Sequence, residues 1–115
     1  MILDRSDTGT ALHDVLNENG LRIQADCIGN VASARSTADN GIVNVSGVAA
    51  GNIAFNNNDP DFDVNDFVSL VPPAVTGGGT LSFASAAGAV ETFTYQVAFG
   101  TAQGDCVLSG TLLTS

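Results

Sequence analysis

No lysine occurs in these 115 residues, and only Arg5, Arg22 and Arg35 carry positive charge. Without lysine there is no Schiff-base nucleophile and no phosphate loop of the Gly-rich, Lys-bearing kind. Charge of either sign is scarce, at 13% of residues against about 25% in an average soluble protein. The balance is acidic, with a formal net charge of −9. That argues against nucleic acid, because nothing could neutralise a row of phosphates, and against anionic membrane surfaces. No apolar run approaches the roughly 18 residues needed to cross a bilayer, so membrane insertion is not expected.

The residues that usually carry catalysis are equally sparse. His13 is the only histidine; alone it cannot build a two-histidine metal site, and no nucleophile elbow accompanies it. A surface or strand-edge position is expected for it. Glu18 and Glu91 are the only glutamates, so a glycosidase pair would have to recruit aspartates from an exposed loop. Asp7-Thr8-Gly9 spells the aspartic-protease triplet, but Arg5 and Ser6 precede it where that motif needs apolar residues. The apolar-apolar-Gly element that would brace such a loop is missing. The chain is expected not to be an enzyme.

What the chain does have is turns and alternation. Asn19-Gly20, Gly29-Asn30, Asn40-Gly41 and Gly51-Asn52 recur ten or eleven residues apart, and both dipeptide orders tolerate the positive φ of tight hairpins. Short strands between turns at that spacing predict one all-β domain, an antiparallel β-sandwich of jelly-roll-like or immunoglobulin-like type. About eight strands are expected, near 10–17, 21–28, 31–38, 42–50, 64–71, 80–85, 90–99 and 105–114. The clearest, Val90 to Phe99, puts Phe93, Tyr95, Val97 and Phe99 on one face and Thr92, Thr94 and Gln96 on the other. Leu21, Ile23, Cys27, Val43, Val45, Phe83, Cys106, Leu108 and Leu112 complete the expected core. Gly77-Gly78-Gly79 reads as a flexible hinge before the final strands. The domain is expected over residues 20–115, with residues 1–19 an N-terminal arm or linker able to add a strand to a sheet edge.

Cys27 and Cys106 sit in matching contexts, Gln24-Ala25-Asp26-Cys27-Ile28 and Gln103-Gly104-Asp105-Cys106-Val107. In both runs the alternate residues are apolar, so both thiols face the core. A disulfide between them would close a loop of about 80 residues, worth about 4 kcal/mol on a chain-entropy account. Two unpaired thiols acting as small hydrophobes are the other reading. A disulfide, with an Asn/Ser/Thr/Gly-rich surface, points to an oxidising location outside the cell. No basic stretch followed by an apolar one occurs, so an export signal is expected upstream of this segment.

The densest charge is Asn56-Asn57-Asn58-Asp59-Pro60-Asp61-Phe62-Asp63-Val64-Asn65-Asp66. Asp59, Asp61, Asp63 and Asn65 present oxygens at alternate positions, the supply that a structural calcium ion needs from a short loop. The EF-hand pattern fails, because Val64 and Leu70 stand where Gly and Glu are required. A solvated acidic loop with Phe62 and Phe67 tucked inward is the simpler alternative. No other cofactor is indicated.

Gly20-Leu21-Arg22-Ile23-Gln24-Ala25-Asp26-Cys27, then Asp61-Phe62-Asp63 before an apolar segment, then Gly79-Thr80-Leu81-Ser82-Phe83, form a pattern that Gly104-Asp105-Cys106-Val107-Leu108-Ser109-Gly110-Thr111 completes. It resembles uncharacterised small β-sandwich domains of secreted, surface or fibre-like proteins of high-GC bacteria. The resemblance covers residues 20–115 and carries no active-site residue. It implies an extracellular structural or adhesive module and a buried Cys27–Cys106 bridge. A more distant likeness to the trimeric heads of bacterial collagen-like stalks and phage fibres adds an expectation of self-association.

The function expected is therefore a non-catalytic extracellular or cell-surface module, a virion or tail fibre included. It would self-assemble into a fibre, surface layer or trimeric head, as a homo-oligomer held through strand edges, apolar faces or the N-terminal arm. The alternative is a carbohydrate- or ligand-binding module that uses the acidic loop, with calcium as a structural ion.

Overall fold

The computed structural model describes residues 2–7, 11–72, 74–100 and 105–114. Thr8 and Gly9 of the protease-like triplet, Pro73, and Gln103 and Gly104 lie outside the described residues. The strands are β1 (Ile2–Asp7), β2 (His13–Glu18), β3 (Leu21–Asp26), β4 (Val31–Ser36), β5 (Gly41–Ala49), β6 (Ile53–Phe62), β7 (Phe67–Ser69), β8 (Gly77–Ala84), β9 (Val90–Ala98) and β10 (Asp105–Thr114). Two antiparallel sheets result, one of six strands in the order β1-β10-β9-β8-β5-β6 and one of four, β2-β3-β4-β7. They stack as the expected sandwich, with ten strands among the described residues rather than about eight.

Turn chemistry explains much of this order. Asn19 and Gly20 have φ of 52° and 92°, the doubly left-handed geometry that joins β2 to β3 in two residues. The boundary expected between residues 19 and 20 thus falls inside a hairpin, and β2 lies in the four-stranded sheet. β1 runs antiparallel to β10 of its own chain as an edge strand. The loop from β3 to β4 is held by the Asp26 carboxylate, which accepts the Ile28 and Gly29 amides at 2.9 and 3.1 Å. Asn40-Gly41 behaves differently from its sequence: it leads β4 into β5 in the other sheet instead of closing a hairpin.

Two strand expectations change. Residues 53–62 form a ten-residue edge strand, not a loop, although Asn, Asp and Pro are poor strand formers. An edge needs no amide on its open side, so Pro60 is tolerated there, at a bulge between Val43↔Asp59 and Gly41↔Phe62. Gly77-Gly78-Gly79 is not a hinge but the first part of β8, paired on both sides. Gly47 and Gly79 face each other in register. A Cβ on Gly47 would meet the Gly78 carbonyl oxygen, and one on Gly79 the Ser46 carbonyl oxygen; the close approach requires glycine.

Alternate residues of both sheets build one core. Val43, Val45, Leu81, Phe83, Phe93, Tyr95, Val97 and Leu108 come from the large sheet. Leu21, Ile23, Ala32, Ala34 and Val68 come from the small one, so small side chains on β4 face a bulkier layer. Phe99 and Leu112 pack against this cluster only partly buried. Phe62 is buried as expected, edge-on to Phe83 at 6.1 Å. Phe67 is not: it is 57% exposed, with the Arg35 guanidinium 5.0 Å above its ring. β7 turns Val68 inward opposite Ala34, so Phe67, opposite Arg35, stands on the outer side of the small sheet.

The sheets are clamped at opposite ends. Cys27, just past β3, and Cys106 on β10 form a disulfide with Cα atoms 5.8 Å apart. At the other end Glu91, fully buried on β9, accepts the Asn19 side-chain amide at 2.5 Å and the Thr114 hydroxyl at 2.6 Å. Between them the Tyr95 hydroxyl donates to the Leu70 carbonyl, and burial pushes its phenol above the ordinary value.

Reducing the disulfide should cost about 4 kcal/mol, a large part of the roughly 5–15 kcal/mol that holds a domain folded. Denaturant titration with and without reductant reads this loss, and intact mass should rise by about two units on reduction. Glu91→Ala should destabilise by about 2 kcal/mol through two lost hydrogen bonds and a cavity. Equal denaturation midpoints for variant and parent would show that the clamp is idle.

Candidate functional site

The acidic residues singled out from the sequence come together at one corner but serve the chain itself. Asp59 accepts the Asp61 amide at 2.9 Å. Asp63 accepts the Asn40 amide at 3.0 Å, and Asp66 accepts that of Asp63 at 3.0 Å. Asn65 adopts a φ of 73°, and its carbonyl receives an N–H of Arg35 at 3.3 Å. The β6 bulge breaks the alternation that would align Asp59, Asp61 and Asp63. The nearby charge of Asp63 and the hydrogen bond to it push the Asp61 carboxyl above the usual range. Among the described residues no three His, Cys, Asp or Glu side chains converge on a point fit for a metal ion. His13 opens β2, an edge strand, with its Nδ1 2.9 Å from the Ala11 carbonyl oxygen.

The large sheet presents a different surface. Its inward positions form the core, so the outward ones on β5, β8, β9 and β10 are the intervening residues. Register aligns them in rows. One row reads Asn56, Ser46, Thr80, Thr94, Thr111; the next reads Asn58, Asn44, Ser82, Thr92, Leu113. A third row, Ile42, Ala84 and Val90, is apolar. A fourth holds Val48, Gly78, Gln96 and Ser109. No charged residue stands at any outward position of these four strands from 42 to 48, 78 to 84, 90 to 98 or 107 to 113. Ile42, Val48, Val90 and Leu113 are 56%, 51%, 41% and 66% exposed on it.

Charge lies elsewhere. The outer side of the small sheet carries Asp14 bridged to Arg22 at 2.9 Å, Gln24 donating to Asp14 at 2.9 Å, and Arg35 donating to Gln24 at 2.9 Å. The aspartates of the corner sit past the β6 bulge, at the rim of the uncharged face. No protein-family model, curated protein or solved structure matches the chain.

Sequence reasoning missed this face because only half of it was visible. Thr92, Thr94 and Gln96 were readable as one side of a strand. That Asn44, Ser46, Thr80, Ser82 and Thr111 lie beside them required the pairing β5-β8-β9-β10.

Hydrogen bonds from Gln24 and then Arg22 hold the Asp14 carboxyl below the usual carboxylate range. The folded protein thus binds that proton less tightly than the unfolded chain. The stabilisation is present at neutral pH and is lost as pH falls through the carboxylate range. Both side chains are more than a third exposed, so the pair is worth less than about 1 kcal/mol. Asp14→Asn should lower the melting temperature slightly at neutral pH and leave it unchanged once the parent carboxyl is protonated. Melting curves across that range check both arms.

Proposed function

We propose that the chain is a non-catalytic structural module of an extracellular or cell-surface assembly, acting by association with copies of itself. The observation that carries this reading is the segregation of charge. A chain of net charge −9 keeps the outward positions of four adjacent strands free of charge and exposes aliphatic side chains there. Like-charged molecules approach each other at least cost through such a surface. A disulfide that clamps the two sheets is consistent with an oxidising location.

Light scattering across a concentration series tests the reading. Reversible oligomers are expected, and added salt should favour them by screening the overall repulsion while leaving an uncharged contact intact. A protein that stays monomeric at every concentration and ionic strength would overturn the proposal.

A further inference from the structure

The geometry points to a second copy of this chain, packed about a two-fold axis face to face on the uncharged surface that β5, β8, β9 and β10 share, as the partner of this module. The inference rests on the self-association reading above and adds where the contact lies and how it is oriented. Three features of the face support it.

The first is self-complementarity. At one end of the face Ile42, Ala84 and Val90 form an apolar strip across three strands. At the other end a shallow trough of about 550 Å³ runs over Gly77, Gly78 and Gly79, between Val48 and Gln96. Ile42 and Val48 are six residues apart on β5, about 20 Å. A two-fold axis lying in the contact plane and crossing the strands at mid-length exchanges these ends. It lays the apolar strip of one copy over the glycine trough of the other, twice.

The second is electrostatic. No carboxylate stands within the face, whereas the opposite side and the acidic corner hold the aspartates. In the two-fold arrangement Asp59 and Asp61 remain at the rim, exposed to water and screened by salt. The third is area. The four uncharged strands with the neutral stretch of β6 beside them, about 4.8 Å apart and some 20 Å long, offer roughly 500 Å² per copy. The total of roughly 1,000 Å² is that of a weak, reversible dimer. Short Ser, Thr and Asn side chains let two such sheets approach to the usual sheet-stacking distance.

Thr94 is exposed, central on β9 and close to where the axis crosses. It touches neither the core nor either clamp, so replacing it leaves the fold intact. Thr94→Glu and Thr94→Lys are each expected to weaken the dimer at least tenfold in sedimentation equilibrium, because like charges then meet across the axis. Mixing the two variants should restore a one-to-one dimer, which only a contact with position 94 near its own symmetry mate produces. Oligomers that persist unchanged in both variants would overturn the face-to-face contact while leaving self-association standing. A parent protein that is monomeric throughout would overturn both.

Discussion

Strand register is the constraint on which this molecule depends. Side chains on β5, β8, β9 and β10 alternate between the core and the outer face, so a slip of one residue would exchange the two. Val43, Val45, Leu81, Phe83, Phe93, Tyr95 and Val97 would then meet water, and Thr and Ser would be buried without partners. Burial of the apolar set and exposure of the neutral polar set are one event. The glycines of β5 and β8 reinforce it, since Gly47 opposite Gly79 permits a backbone approach that any side chain would block.

The clamps act on the relation between the sheets, which register alone leaves open. Two small sheets with an alanine-rich layer on one side gain modest burial from each contact. A covalent link at one end and a buried carboxylate held by two neutral donors at the other restrict sliding and rotation. Asn57 closes the open side in the same manner, its amide donating to the Ser69 carbonyl at 3.1 Å from the edge strand β6. The edge itself is blunted by Pro60, a bulge and two aspartates, devices that discourage uncontrolled strand addition.

Much of the fold was legible because its signals are local. Asn19-Gly20 names its turn, Phe93, Tyr95 and Val97 name a strand face, and the matched contexts of Cys27 and Cys106 name a buried pair. Residues 53–62 were not legible, since Asn, Asp and Pro argue against a strand and only an edge position makes one tolerable. Phe67 misled for a related reason: its apolar ring is served by a cation from a neighbouring strand rather than by the core. The aspartates at 59, 61 and 63 show regular spacing in the chain, but one extra residue in the ladder turns them out of line.

The amino-acid sequence by itself determined the all-β class, the tight turns, the side of each clear strand that faces inward and the acidic, lysine-free character of the surface. These follow from composition and from a period of two residues, which need no partner to be read. Tertiary structure alone decided which strands are neighbours, that Asn40-Gly41 crosses between sheets, and that Glu91 meets Asn19 and Thr114 where its strand turns it inward. It also decided that uncharged residues from four separated segments form one continuous face. The physical reason is that pairing between distant strands is a property of the whole ladder, whereas alternation is a property of each strand.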